Sequence, residues 1–129
     1  DHCLALESRP DADRFRRKLL NQCLRVSRQM VADPASDATV KVVIVGGGAT
    51  GVELAAELYS AADALGFYGL EVFDRKRLTV TLLEAGPRIL PMLPEKLAAA
   101  AHAELENLGV SVRANTQVIA ATAEAIHVK

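Results

Sequence analysis

The sequence predicts an α/β fold with a parallel sheet and helices flanking it, on three observations. Apolar runs of strand length alternate with helical stretches in the order strand, helix, strand, helix, strand, the pattern of parallel pairing through right-handed crossovers. A glycine turn joins the first strand to its helix directly, in "KVVIVGGGATGVELAAEL" from Lys41. The 129 residues, 50% hydrophobic and 24% charged, have room for one domain with a real core.

Taken in order, the first ten residues read as an extended lead-in. From Asp11 to residue 32, Phe15, Leu19, Cys23, Val26 and Met30 recur at helical spacing, with an Asp near the start as cap. Arg14, Arg17, Lys18, Arg25 and Arg28 fall mostly on other faces, as a solvated surface or a contact for another domain or a membrane headgroup. Residues 31–39, "VADPASDAT", form a linker. The chain thus divides into a lead-in, connecting helix and linker over 1–38 and a nucleotide fold over 39–129.

Residues 42–45 are a β-branched run without polar alternation, which suits a strand buried on both faces. A helix follows over roughly residues 50–65. Its apolar face holds Val52, Ala55, Ala56, Tyr59 and Ala62, widened by Leu54, Leu58, Ala61 and Leu65. Residues 66–77 break the pattern and lengthen the crossover, as a loop excursion or a helical extension. "LTVTLL", 78–83, is the next strand. Pro94 at the first helical position opens a helix with Leu97, Ala101, Leu105 and Leu108 in one stripe, and Gly109 stops it. "VSVR" from Val110 is a third strand. The remainder reads as a C-terminal antiparallel hairpin or meander, with a turn near residues 122–125. Starting at Asp1 and halting before the chain returns to the parallel sheet, the sequence is expected to be part of a longer protein.

Gly46, Gly48 and Gly51 stand in the spacing G-x-G-x-x-G. In a dinucleotide site the first allows the tight turn, the second lets backbone approach the pyrophosphate, and the third lets helix pack close to strand. The helix then points free N–H groups and the positive end of its dipole at the phosphates. The motif alone is weak and also describes a flexible glycine loop. Its place between a strand and a helix makes it a Rossmann-like signature.

Other chemistries find little support. A net charge of −1 and 4% aromatic residues argue against nucleic acid as partner. Cys3 and Cys23 lack C-x-x-C spacing and no His cluster accompanies them, so no metal site is expected. No apolar stretch is long enough for a membrane span, and no secretory signal is visible.

Glu84 ends the second strand, where a dinucleotide fold places the acid that hydrogen-bonds the adenosine ribose. It lies farther along than the usual ~20 residues, an excess that the insertion at 66–77 accounts for. A 2′-phosphate would meet this carboxylate with a repulsion on the order of several kcal/mol, so NAD(H) is expected over NADP(H). Arg88, four residues on, reads as a surface arginine or as a contact for a 2′-phosphate. Glu53 has two even readings, as a complement to the helix dipole within the first turn or as a carboxylate facing the reacting ring. The expected cofactor-binding set is Gly46, Gly47, Gly48, Ala49, Thr50, Gly51, Glu84 and Ala85.

"VVIVGGGATGVELAAEL" together with "LTVTLLEAGPRILPMLPEKLAAAAHAELENLGVSV" resembles the bacterial type II NADH dehydrogenases, NADH:quinone oxidoreductases of the two-dinucleotide-binding-domain flavoprotein group (pyridine nucleotide-disulfide oxidoreductase-like). The likeness extends over essentially the whole chain. It implies an NADH-binding domain inserted in an FAD-binding one, with the three motif glycines on the NADH pyrophosphate and Glu84 on the ribose. Glu53 would lie where nicotinamide meets flavin. The family implies hydride transfer from NADH to FAD and two electrons onward to membrane quinone without proton pumping. The parent would be peripheral on the cytoplasmic face of the inner membrane, docked through a C-terminal region that this chain does not contain. FAD would be bound mainly outside these residues, and the piece alone would be inactive. Three rivals stand beside this reading: a nonenzymatic NAD(H)-sensing module, the FAD-binding domain of a related flavoprotein, and a piece that binds nothing and associates through exposed strand edges.

Overall fold

The computed structural model describes residues 9–33, 35, 39–67, 78–122 and 125–129. The lead-in at 1–8, with Cys3, and most of the insertion at 66–77 lie outside the described residues. The elements are α1 (Arg9–Ala32), β1 (Val40–Val45), α2 (Ala49–Phe67), β2 (Leu78–Leu83), α3 (Glu95–Leu108), β3 (Ser111–Arg113), β4 (Val118–Ala121) and β5 (Ile126–Val128). A parallel sheet of order β1-β2-β3 and an antiparallel β4-β5 pair follow. This is the expected Rossmann-like pattern with its terminal hairpin.

Parallel register sets Val40 beside Leu78, Val42 beside Val80 and Ile44 beside Leu82. Alternation of side chains then gathers these six on one face. Ala55, Leu58 and Tyr59 of α2 and Ala98 and Leu105 of α3 join five of them in one core cluster, with Ile89, Leu90 and Val110, and half-buried Val42 packs against it. Tyr59 ties three elements together. Its hydroxyl lies 3.3 Å from the Leu78 carbonyl oxygen and 3.2 Å from that of Gly109.

Cys23 and Val26 belong to the same cluster, so α1 packs on the sheet that follows it. Its Arg14, Arg17, Lys18, Arg25 and Arg28 are all exposed. Asp11 is not the cap expected of it: the helix begins at Arg9 and Asp11 sits inside the first turn, 3.9 Å from Arg14.

Three further expectations are corrected. β1 is not buried on both faces: α1, α2 and α3 all pack on the face that holds Val40 and Ile44, and on the other face Val43 is 42% and Val45 59% exposed. In α3 the buried stripe is set by Ala98 and Leu105, with Leu97 56% exposed, since a small residue lets the helix approach the sheet more closely. Pro94 caps α3 from outside, with an extended ψ of 146°, and Glu95 is the first helical residue. Gly109 ends the helix as expected. At φ 108° its N–H reaches the Glu106 carbonyl and that of Val110 the Leu105 carbonyl, a Schellman arrangement.

Candidate nucleotide-binding site

Parallel pairing brings the carboxyl ends of β1 and β2 side by side, at the edge where open α/β sheets bind ligands. There the Gly46 N–H donates to the Leu83 carbonyl at 2.8 Å and turns the chain sharply from β1 into α2. Gly46 takes φ 108°, in the left-handed region that favours glycine. A Cβ on Gly51 would run into the Gly46 carbonyl oxygen and also approach Ile44 Cγ2. These two glycines therefore have the roles their spacing assigned: tight turn and close helix approach.

Gly48 differs. Among the described residues, no atom beyond its chain neighbours lies within 4 Å of where its Cβ would stand, so backbone is bare toward open space. The Val52 N–H closes the first turn of α2 onto the Gly48 carbonyl at 3.0 Å. The N–H groups of Ala49, Thr50 and Gly51 precede it and have no carbonyl one turn back in the helix to accept them. Ala49 and Thr50 are exposed. An open glycine followed by uncommitted N–H donors at a helix start is the arrangement a pyrophosphate requires.

Glu84 reaches across the turn. Its Oε1 accepts from the Gly47 N–H at 2.7 Å and its Oε2 from the Gly86 N–H at 2.6 Å. Two short charge-assisted bonds fix both oxygens, and a carboxylate with about four lone-pair sites keeps acceptor capacity for hydroxyl donors. Glu84 is half-buried, and Ala85 beside it is exposed. Its own backbone is held as well, its N–H by the Arg113 carbonyl at 2.9 Å and its carbonyl by the Thr116 N–H at 2.9 Å.

Gly47 is an x position of the motif, and its spacing assigns it no role. Here it is buried: a Cβ there would stand 2.8 Å from Ile89 Cγ2 and 3.1 Å from Glu84 Oε1. The loop after Glu84 closes this corner, with the Leu90 N–H donating to the Gly47 carbonyl at 2.7 Å. Periodicity does not reveal Ile89, Leu90 or Gly86 as parts of the site. The third consecutive glycine at position 47 is the one hint.

Arg88, read as a surface arginine or as a contact for a 2′-phosphate, is half-buried and donates to the backbone of its own loop. Its guanidinium donates to the carbonyls of Leu90 and Leu93 at 2.9 Å each, and to those of Pro91 and Ile89 at 3.3 and 3.5 Å. Glu53 is exposed and stands fifth in α2, beyond the first turn where a helix-dipole complement counts most. The structure thus groups Gly46 to Gly51 with Glu84 and Ala85, and sets Glu53 one turn along α2.

The family model for pyridine nucleotide-disulphide oxidoreductases matches residues 3–129. The type II NADH:quinone oxidoreductase of Haemophilus influenzae is 44% identical over 128 aligned positions, covering 92% of this chain and 29% of that protein. The mitochondrial external alternative NAD(P)H-ubiquinone oxidoreductase B4 of Arabidopsis thaliana is 30% identical over 100% of this chain and 22% of its own length. A solved structure of NDH2 from Plasmodium falciparum in complex with NADH shares the fold over 100% of this chain and 26% of that one, with a TM-score of 0.83 at 22% identity. The chain therefore spans less than a third of the length of these relatives. With a matching model over nearly every residue and the glycine turn built as the motif requires, the chain belongs to the pyridine nucleotide-disulphide oxidoreductase family.

Proposed function

We propose that this chain is the NADH-binding domain of a flavin-dependent, non-proton-pumping NADH:quinone oxidoreductase, with 39–129 as the nucleotide-binding unit and 1–38 as its connection. The observation that carries the reading is the Glu84 carboxylate, pinned by the Gly47 and Gly86 N–H groups beside the open Gly48 backbone. The likeness to the Haemophilus influenzae enzyme supports it.

In this reading Gly46, Gly47, Gly48, Ala49, Thr50 and Gly51 hold the pyrophosphate, with the N–H groups at the start of α2 facing its charge. Glu84 accepts from the adenosine ribose hydroxyls and Ala85 lines the same rim. A 2′-phosphate placed against Glu84 is opposed by a repulsion on the order of several kcal/mol, which selects NADH over NADPH. Bound NADH supplies the hydride. The chain's own residues orient it, and Glu53 lies toward the nicotinamide end, where FAD of the longer protein meets it. Quinone is the acceptor of that longer protein, which sits on the cytoplasmic face of the inner membrane through residues outside this chain.

Anaerobic mixing of the purified full-length protein with one equivalent of NADH tests this. The expected result is bleaching of the flavin band, with NADPH far slower and the 129-residue chain alone inactive toward quinone. Quinone reduction by the 129-residue chain without a flavoprotein would overturn the division of labour.

A further inference from the structure

Arg88 stands four residues past Glu84, where a cation is well placed to read a 2′-phosphate. Its hydrogen bonds serve a different end. Nη1 donates to the Leu90 and Ile89 carbonyls and Nη2 to those of Leu93 and Pro91, at 2.9, 3.5, 2.9 and 3.3 Å. These engage both terminal nitrogens, so the donor edge of the guanidinium organises backbone rather than ligand.

What it organises is strained. Leu90 takes φ 51°, a left-handed conformation that a bulky L residue adopts only when its surroundings impose it. In that conformation its N–H donates to the Gly47 carbonyl at 2.7 Å, and the buried Ile89 closes over Gly47. Gly47 is thereby held at both polar groups, its carbonyl by Leu90 and its N–H by Glu84.

We propose that Arg88 is a positioning residue for nucleotide recognition: by gathering the carbonyls of Ile89, Leu90, Pro91 and Leu93 it clamps the loop onto the glycine turn and keeps Gly47 aimed at Glu84. The inference rests on the reading of Glu84 as the ribose ligand. It assigns Arg88 to geometry and withholds its charge from the cofactor. A lysine keeps the charge, yet its single nitrogen cannot span four carbonyls.

Arg88→Lys and Arg88→Met in the full-length enzyme separate the two roles. Both are expected to raise KM for NADH by about tenfold, because misplacing a binding group costs affinity without touching the chemical step. The value of kcat at saturating NADH, KM for quinone and the flavin spectrum stay at parental values. In a Glu84→Ala background Arg88→Lys adds less than about twofold, since the contact it supports is already gone.

A parental KM for NADH in Arg88→Lys overturns the proposal, even if its melting temperature falls, because the loop would then matter to folding alone. A full additional effect of Arg88→Lys in the Glu84→Ala background overturns it too. If Glu84→Ala by itself leaves KM for NADH unchanged, the ribose reading fails first, and the proposal with it. Should Arg88→Met not fold, Arg88→Lys decides alone.

Discussion

The corner around Glu84 and the β4-β5 hairpin adjoin along the chain and are held in different ways. In the corner, residues distant in sequence fix one another: Gly47 with Glu84 and Leu90, Glu84 with Arg113 and Thr116, Gly86 with Asn115. Buried Ile89 and Leu90 lie beneath. The hairpin is local. Its strands pair with each other across a register shift between Val118 and Ala120, and Ile119 is 62% exposed. A charged cofactor needs donors and acceptors at fixed positions, and long-range backbone bonds over an apolar floor provide them. A short two-stranded ribbon with little apolar cover has far less to resist opening.

Substitutions in the corner should therefore cost far more than those in the hairpin. Gly51→Ala is expected to have the largest effect, above about 3 kcal/mol by urea denaturation, because the new methyl meets the backbone oxygen of Gly46, which cannot swing aside. Glu84→Ala strands the Gly47 and Gly86 N–H groups and should cost about 2–4 kcal/mol. Equal costs for Glu84→Ala and Ile119→Thr would break the contrast.

Gly48→Ala sharpens it, because site and stability should come apart. The methyl enters open space, so stability should stay within about 0.5 kcal/mol of parental while NADH affinity falls at least about tenfold. Titration calorimetry beside thermal melts reads both. Ile119→Thr should change stability by less than about 0.5 kcal/mol, and amides of residues 118–121 should exchange faster than those of β2.

A small effect is expected from Cys23. Burial pushes its thiol above the ordinary 9.0, since desolvation disfavours the thiolate. The unfolded chain then releases its proton first as pH rises, so this contribution to stability is intact below pH 9 and shrinks above it. Cys23→Ala should flatten that alkaline decline, measured by denaturation across the range.

Much of this architecture was legible in the residues. Among the described residues, the five strands and three helices, the stop at Gly109, and the placing of Gly46, Gly51 and Glu84 follow from patterns that local chemistry enforces. What escaped depends on neighbours remote in sequence. Leu97 and Ala98 both fit a helical stripe with Leu105, and only the distance between helix and sheet selects the smaller. β1 looks doubly buried until it is known that the helices all pack on one face of the sheet and leave Val43 and Val45 exposed on the other. Gly47 and Arg88 gain their meaning from the loop that folds back over the turn, whose strained Leu90 has no counterpart in local propensity.

In the proposed function a pinned carboxylate and an open glycine turn together make a site for NADH. Titration of the 129-residue chain with NADH and with NADPH, followed by nicotinamide fluorescence and repeated with Glu84→Ala, tests it most directly. The expected result is measurable though weak NADH binding, much weaker NADPH binding, and loss of the NADH signal in the variant. Equal binding of the two nucleotides, or NADH binding unchanged by Glu84→Ala, would contradict it.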